Sequence, residues 1–261
     1  MQKTTAKDMT EGPILRLLIA FALPLMLGNV FQMLYNTVDS VIVGNFVSKQ
    51  ALAAIGATTM IVNLFVFFFN GFSIGAGVVI GQYFGARDME KLHDAIETTM
   101  AATFILSLLF SLLSIVIVDP MLRMMSTPED VFHDASVYLR IYLGGIAGLL
   151  IFNMGSGVLR AVGDSTRPLY FLIFTSLLNI ALDLFFVLVL KMGVAGAAVA
   201  TIISQFLSAA LILVLLSRTR DIYRLEWREL KIKWPILRRV FAIGLPAAVQ
   251  SVITAFSNVF V

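Results

Sequence analysis

No cysteine occurs in the 261 residues, which excludes disulfides, thiolate catalysis, iron–sulfur clusters and cysteine-based zinc sites. Histidine is almost as scarce: His93 and His133 stand in separate charged segments and form no ligand cluster. Charged residues make up 13% of the chain, about half the share usual in soluble proteins. The zinc-protease HExxH, the P-loop GxxxxGK[ST] and the dinucleotide GxGxxG are absent. No nucleophile–base or metal constellation is visible, so the chain is not expected to be an enzyme.

What is present is apolar. Hydrophobic residues reach 59% and the mean hydropathy is +0.93, with the charges clustered between long apolar runs. A membrane-spanning helix needs about 20 such residues. Six runs qualify, near 14–38, 52–80, 98–118, 136–159, 169–190 and 194–216, and a seventh begins near 236. Unbroken runs of this length predict lipid-facing helices; a β-barrel would show short alternating segments instead. The chain therefore reads as all-α and polytopic. Pro24 and the length of the first run argue against a cleaved signal peptide.

Lysine and arginine set the expected orientation. Assigning connections alternately to the two sides places fifteen basic residues on one side and four on the other. The positive-inside rule puts the basic side, with the N-terminus, in the cytoplasm. That accounts for the sequence pI near 9.3 without nucleic acid as a partner. The only long polar stretch, Ser217 to Arg239, interleaves basic residues with Ile222, Leu225, Trp227, Leu230, Ile232 and Trp234. It reads either as an interfacial amphipathic linker drawn to membrane lipid or as a solvated connector.

The seventh run restarts the first. At an offset of 222, Arg16/Arg238, Ala20/Ala242, Leu23/Leu245, Pro24/Pro246 and Val30/Val252 coincide. Six spans between the copies make both enter from the same side, as in a parallel repeat of six-helix units. The expected organisation is a six-helix lobe over 1–216, a basic cytoplasmic interlobe linker over 217–235, and the start of a second lobe over 236–261. Val261 falls opposite Asp39, in mid-helix, so a missing second lobe is the expected partner.

Two acidic residues, Asp39 and Asp183, lie well inside spans. A charge in hydrocarbon costs about 2.5–3.5 kcal/mol on insertion scales, so it normally faces the bundle interior and has a task. Counting roughly 1.5 Å per residue from the flanking lysines puts Asp39, Asp183 and Thr201 at one depth in the outer half. Asn179 precedes Asp183 by one turn, and Tyr35 and Asn36 precede Asp39. Tyr138 and Tyr142 approach the same layer on span four. Two facing carboxylates repel as a pair of anions, so the pair holds a proton or a monovalent cation between them. Sodium and proton fit equally, and without soft ligands a transition metal does not. No cofactor is expected beyond such an ion. Pro24 removes one helix hydrogen bond, which makes it either a static kink or a hinge. Gly71, Gly75, Gly77, Gly81 and Gly85 permit close helix approach.

The strings Leu23-Pro24 with Gln32-Met-Leu-Tyr35-Asn36-Thr-Val-Asp39, Gly81-Gln-Tyr-Phe-Gly85-Ala-Arg87, Leu159-Arg-Ala-Val-Gly163-Asp-Ser-Thr-Arg-Pro168 and Asn179-Ile-Ala-Leu-Asp183 resemble the multidrug and toxic compound extrusion (MATE) family. The resemblance implies twelve helices in two lobes and export of small organic, cationic drugs by antiport against H⁺ or Na⁺. It implies a place in the bacterial cytoplasmic (inner) membrane. It also implies a coupling site at Asp39, with Asn179, Asp183 and Thr201 around it and a network of Gln32, Tyr35 and Tyr138. Two alternatives stand beside this reading: a flippase for a lipid-linked precursor, which should need a cationic cavity, and an inactive membrane scaffold or fragment.

Overall fold

A computed structural model describes residues 13–259, with the side chains of all but Ile14 and 254–259; Lys3, Lys7 and Val261 lie outside the described residues. Among the described residues the regular structure is helical: α1 (Ile14–Phe46), α2 (Lys49–Gly85), α3 (Met89–Met124), α4 (Glu129–Gly144), α5 (Ala147–Ala161), α6 (Thr166–Asp183), α7 (Gly193–Arg218) and α8 (Trp234–Val259). Among the described residues six helices are long and apolar enough to cross a membrane, and α4 with α5 forms a pair, bent by 45°, that is long and apolar enough when taken together. The expected all-α membrane architecture is present.

The helices run well past the apolar limits read from the sequence. Apolarity marks the hydrocarbon, whereas helix ends are set by caps, so Glu90, Asp94 and Glu97 belong to α3 and not to a connection. Ser48 and Asp88 cap α2 and α3 through Ala51 N and Lys91 N. At the other ends Arg87, Ser126 and Gly163 turn left-handed, and Asp88 N, Thr127 N and Asp164 N each donate to a carbonyl five residues back. This is the Schellman closure of a helix C-terminus.

Burial is inverted relative to a soluble bundle. Along α3 the outward face carries Leu108, Leu109, Leu112, Ile115 and Val116, all more than half exposed, while Thr98, Thr99, Thr103, Ser107 and Ser114 are buried. Several of these hydroxyls donate to carbonyls three or four residues back, so small polar side chains pack without stranded donors. Two apolar clusters divide the bundle by height. One, at the end holding the α2–α3 turn, includes Ile80, Leu92, Met154, Leu159 and Ile212. The other, at the far end, includes Val43, Ile61, Tyr138, Leu139 and Val194. The α4–α5 break at Gly145 lies within the second cluster, between Leu143 and Ile146. There a Cβ would meet Ile202 at 2.5–2.6 Å.

The α2 glycines serve two faces. A Cβ on Gly75 would lie 2.7 Å from Gly244 N and 2.8 Å from Gly244 Cα on α8, whereas Gly77 and Gly81 face the Gly157 and Ala161 carbonyls of α5 at 3.8 and 3.6 Å. Gly71-Phe72-Ser73-Ile74-Gly75 spells a hydrolase nucleophile elbow. It lies inside α2, and Ser73 Oγ donates to the Asn153 carbonyl at 3.0 Å, so its role is packing.

Residues 219–233 form neither a surface helix nor a free connector. Tyr223 and Leu225 are buried in the bundle, and Trp227 stacks on Phe104 with centroids 5.7 Å apart. Thr98 Oγ1 donates to the Lys231 carbonyl and accepts from Lys233 N, at 3.2 and 3.1 Å. Lys233 reaches Asp94 at 2.5 Å, and α8 then runs back along α2. Ile222, Leu225 and Leu230 therefore face protein, whereas Ile232 and Trp234 stay exposed, a division that sequence pattern alone does not give.

Candidate functional site

The far half of the bundle gathers four helices around acidic and amide side chains. From α1 come Gln32, Tyr35, Asn36 and Asp39; α6 supplies Asn179 and Asp183, α7 supplies Thr201, and α4 supplies Tyr138 and Tyr142. Asp183 is 0% exposed, Asn179 and Thr201 1%, and Asp39 7%. Asp39 and Asp183 lie within hydrogen-bonding reach of each other. The Asn179 amide, in the orientation its neighbours require, donates to Asp183 Oδ2 at 3.1 Å and accepts from Thr201 N at 3.3 Å. Thr201 Oγ1 donates to the Ala197 carbonyl at 3.0 Å and is in hydrogen-bond contact with the Tyr35 side chain.

Neither aspartate is neutralised by a base, since no lysine or arginine pairs with either one among the described residues. One oxygen of each, Oδ1, is buried with no partner at all. Leaving a buried acceptor unsatisfied costs about 1–3 kcal/mol, more when it is charged. The layer thus has vacant acceptor capacity for a cation or a proton. Three or more Asp, Glu or His side chains gathered as for a metal are not found among the described residues.

Backbone geometry changes at the same place. Asp183 is the last α-helical residue of its span, and Leu184–Val189 continue as a π-helix, with Leu190 N bonded to the Phe185 carbonyl at 3.0 Å. Such widened turns are rare and concentrate at functional sites. Sequence reading took this span as one regular helix, because a π-turn carries no apolar signature of its own.

Of the sequence-derived residues, all but Pro24 reach this region. Tyr138 and Tyr142 stack with rings 5.9 Å apart beside it. Asn36 is exposed but lines the same cavity as Asp39. Pro24 lies farther down α1, which is assigned as one uninterrupted helix through it. Three polar residues of α7 and two of α5 escaped the sequence reading. Gln205 Nε2 donates to Tyr142 Oη at 3.3 Å, Ser208 donates to Thr175 at 2.7 Å, and Ser204 Oγ is buried without a partner. Asn153 and Ser156 line the cavity from α5. Their signal was a polar stripe: Thr201, Ser204, Gln205 and Ser208 fall on one helical face, as do Asn153, Ser156 and Arg160.

Two cavities meet here. A small one of about 50 Å³ lies between Gln32, Tyr35, Asn179, Thr201 and Gln205, with room for a water or a small ion. A larger one of about 620 Å³ extends along α1, α2 and α5 from Asp39 to Arg160. Arg160 sits one residue before the end of α5, on the cavity wall.

Comparison with known proteins gives the context of this geometry. The family model MatE matches residues 24–185. The "Probable multidrug resistance protein YpnP" of Bacillus subtilis (strain 168) is 32% identical over 252 residues, covering 95% of this chain and 55% of that protein. A solved structure described as the outward-facing conformation of a multidrug resistance MATE family transporter of the MOP superfamily superposes with a TM-score of 0.91 at 26% identity, over 100% of this chain and 58% of that one. The inward-facing conformation of such a transporter gives 0.78 at 28% identity, over 85% of this chain and 50% of that one. The chain spans about half the length of the relatives it matches.

Proposed function

Because the chain belongs to the MatE family of integral membrane proteins, we propose that it is the first lobe, with the start of the second, of an ion-coupled multidrug exporter working by alternating access. The transported solutes are small organic molecules, cationic ones among them, and the coupling ion is H⁺ or Na⁺. The bacterial cytoplasmic membrane is its place. Its N-terminus faces inward, on the strength of fifteen basic residues against four.

One observation carries the coupling: Asp39 and Asp183 meet in a buried layer that supplies no positive charge. Asp39 and Asp183 are the ion-binding pair, and Asn179 and Thr201 complete the oxygen set. Gln32, Tyr35, Asn36 and Tyr138 join this pair to the cavity. An ion between the carboxylates removes their repulsion and draws α1 toward α6, narrowing the cavity along the α1 wall; Pro24 is the hinge. Solute and ion then weaken each other's binding by the same factor, as linkage requires. A lipid-precursor flippase is less well served, since a pyrophosphate calls for several cations and the cavity wall carries one.

The test is ²²Na⁺ binding to purified full-length protein across pH, with Asp39→Asn as control. Saturable binding lost in the variant assigns sodium, and drug-induced proton release lost in the variant assigns protons. Coupling at this layer is refuted if both signals are indifferent to Asp39.

A further inference from the structure

The larger cavity has opposite charge at its two ends. Among the residues lining it, the only charged side chains are Asp39 and Arg160. Fifteen residues of α1 separate Asp39 from Pro24, which lines the cavity near its Arg160 end, so the poles are roughly 20 Å apart at 1.5 Å per residue. Asp39 has Asp183 beside it, whereas Arg160 has no partner. It makes no ion pair and no side-chain hydrogen bond among the described residues. Asp164, the acid nearest in sequence, is held by Arg167 at 3.3 Å and accepts from Thr166 N and Arg167 N.

Arg160 is half-buried, and its wall is already furnished for an acceptor. Ser156, one turn earlier on the same face of α5, is 3% exposed, lines the cavity, and has a hydroxyl without any partner. Ser165, across the cavity, is by contrast engaged, donating to the Phe21 carbonyl at 2.9 Å. A guanidinium fork and a free hydroxyl on one helix face are donors seeking an oxygen anion, and arginine takes carboxylate or phosphate through paired N–H bonds. We propose that Arg160 and Ser156 form an oxyanion subsite at this end of the cavity, which binds the carboxylate, sulfonate or phosphate of an amphiphilic solute. The solutes accepted then include zwitterions and amphiphilic anions, with the apolar body against Leu149, Phe152 and Leu172.

The amphiphilic character of the occupant rests on the export reading; the subsite itself does not, so it is tested by equilibrium binding. Rhodamine 110, with a free carboxylate, and rhodamine 123, its methyl ester, are titrated by fluorescence polarisation into purified full-length protein in dodecyl maltoside. Arg160→Gln is expected to weaken rhodamine 110 about tenfold, the worth of a lost charged hydrogen-bond pair, and to change rhodamine 123 less than about twofold. Arg160→Lys should recover part of the loss. Equal binding of the acid by parent and Arg160→Gln overturns the proposal. Should Arg160→Gln lose both dyes, Ser156→Ala decides: a loss of about two- to fivefold confined to the acid supports the subsite, and no selective loss overturns it. Phosphatidylglycerol added to the micelles separates the sources. Competition with the acid in the parent alone makes a lipid phosphate an occupant, and absence of competition leaves the free solute. Intact, Arg160-dependent binding in a protein that exports neither dye counts against the export reading only.

Discussion

The bundle treats its ion-paired aspartates and its buried aspartate pair in opposite ways, and the difference is not one of ends, since Asp119 in the far half is held by Arg140. At the end holding the α2–α3 turn each of three aspartates has a base: Asp88 with Lys91 at 2.6 Å, Asp94 with Lys233 at 2.5 Å and Asp164 with Arg167 at 3.3 Å. There the charges fasten turns and seat the 219–233 segment. In the far half Asp39 and Asp183 are more deeply buried, face each other, and have no base. A fold selected only for stability would pair or replace them, since an uncompensated buried charge is among the most destabilising features a core can hold. The contrast separates charges that hold the structure from the pair proposed to take the coupling ion.

The sharpest way to break this contrast is to neutralise one acid of the far pair. Asp183→Asn should lower drug export by at least about tenfold, equivalent to roughly 1.4 kcal/mol of transition-state stabilisation. The same change relieves carboxylate repulsion, so the melting temperature of the purified protein should rise, by about 2–4 °C per kcal/mol gained. Dye efflux from cells and a thermal-shift assay read the two effects; loss of both activity and stability would make Asp183 a structural residue.

Next in size is Gly75→Val. Its side chain would have to displace the α8 backbone at Gly244, and overpacking of this kind costs about 1–3 kcal/mol. A lower melting temperature and a broadened size-exclusion peak are expected, and an unchanged melt would show that α8 is not seated on α2. A smaller effect tests the other end. Thr98→Val removes both hydrogen bonds to the 219–233 segment, at about 1 kcal/mol each. Faster proteolysis between Arg220 and Lys233 is the readout, with export expected to hold within about twofold.

The smallest effect is a pH dependence. The hydrogen bond that Lys233 donates to Asp94 raises the Lys233 ammonium above its ordinary value, so the protonated form favours the docked segment. Its contribution is fully present below the ordinary lysine range and is lost as pH rises through the raised value. Proteolysis of the segment should quicken only at strongly alkaline pH, and Asp94→Asn should remove that dependence. Lys233 is about half exposed, and solvent screening keeps its contribution small.

Much of this was legible in the chain. Apolar runs gave the spans, the offset of 222 residues tied α8 to α1, and two acids out of place in apolar sequence marked the layer that Asn179 and Thr201 complete. The repeat did not give the packing: α1 lies against α6, whereas α8, with the same Leu-Pro pair, lies along α2. Arg160 was counted as a topology signal beside a loop, because nothing in its neighbours by sequence says that the end of α5 faces a cavity. Gln205 and Ser156 were missed because polar residues on an apolar helix are informative only once it is known which face meets the cavity.

The sequence by itself determined the solvent, the order of the spans and the depth of the acids, because burying apolar length and placing charge are local and additive along the chain. Only the tertiary structure decided which oxygens stay unpartnered, where the 219–233 segment docks, that the fourth span breaks at Gly145, and that Arg160 faces Asp39 down one cavity. Those features depend on which helix faces meet, and facing is settled by close packing among residues far apart in sequence.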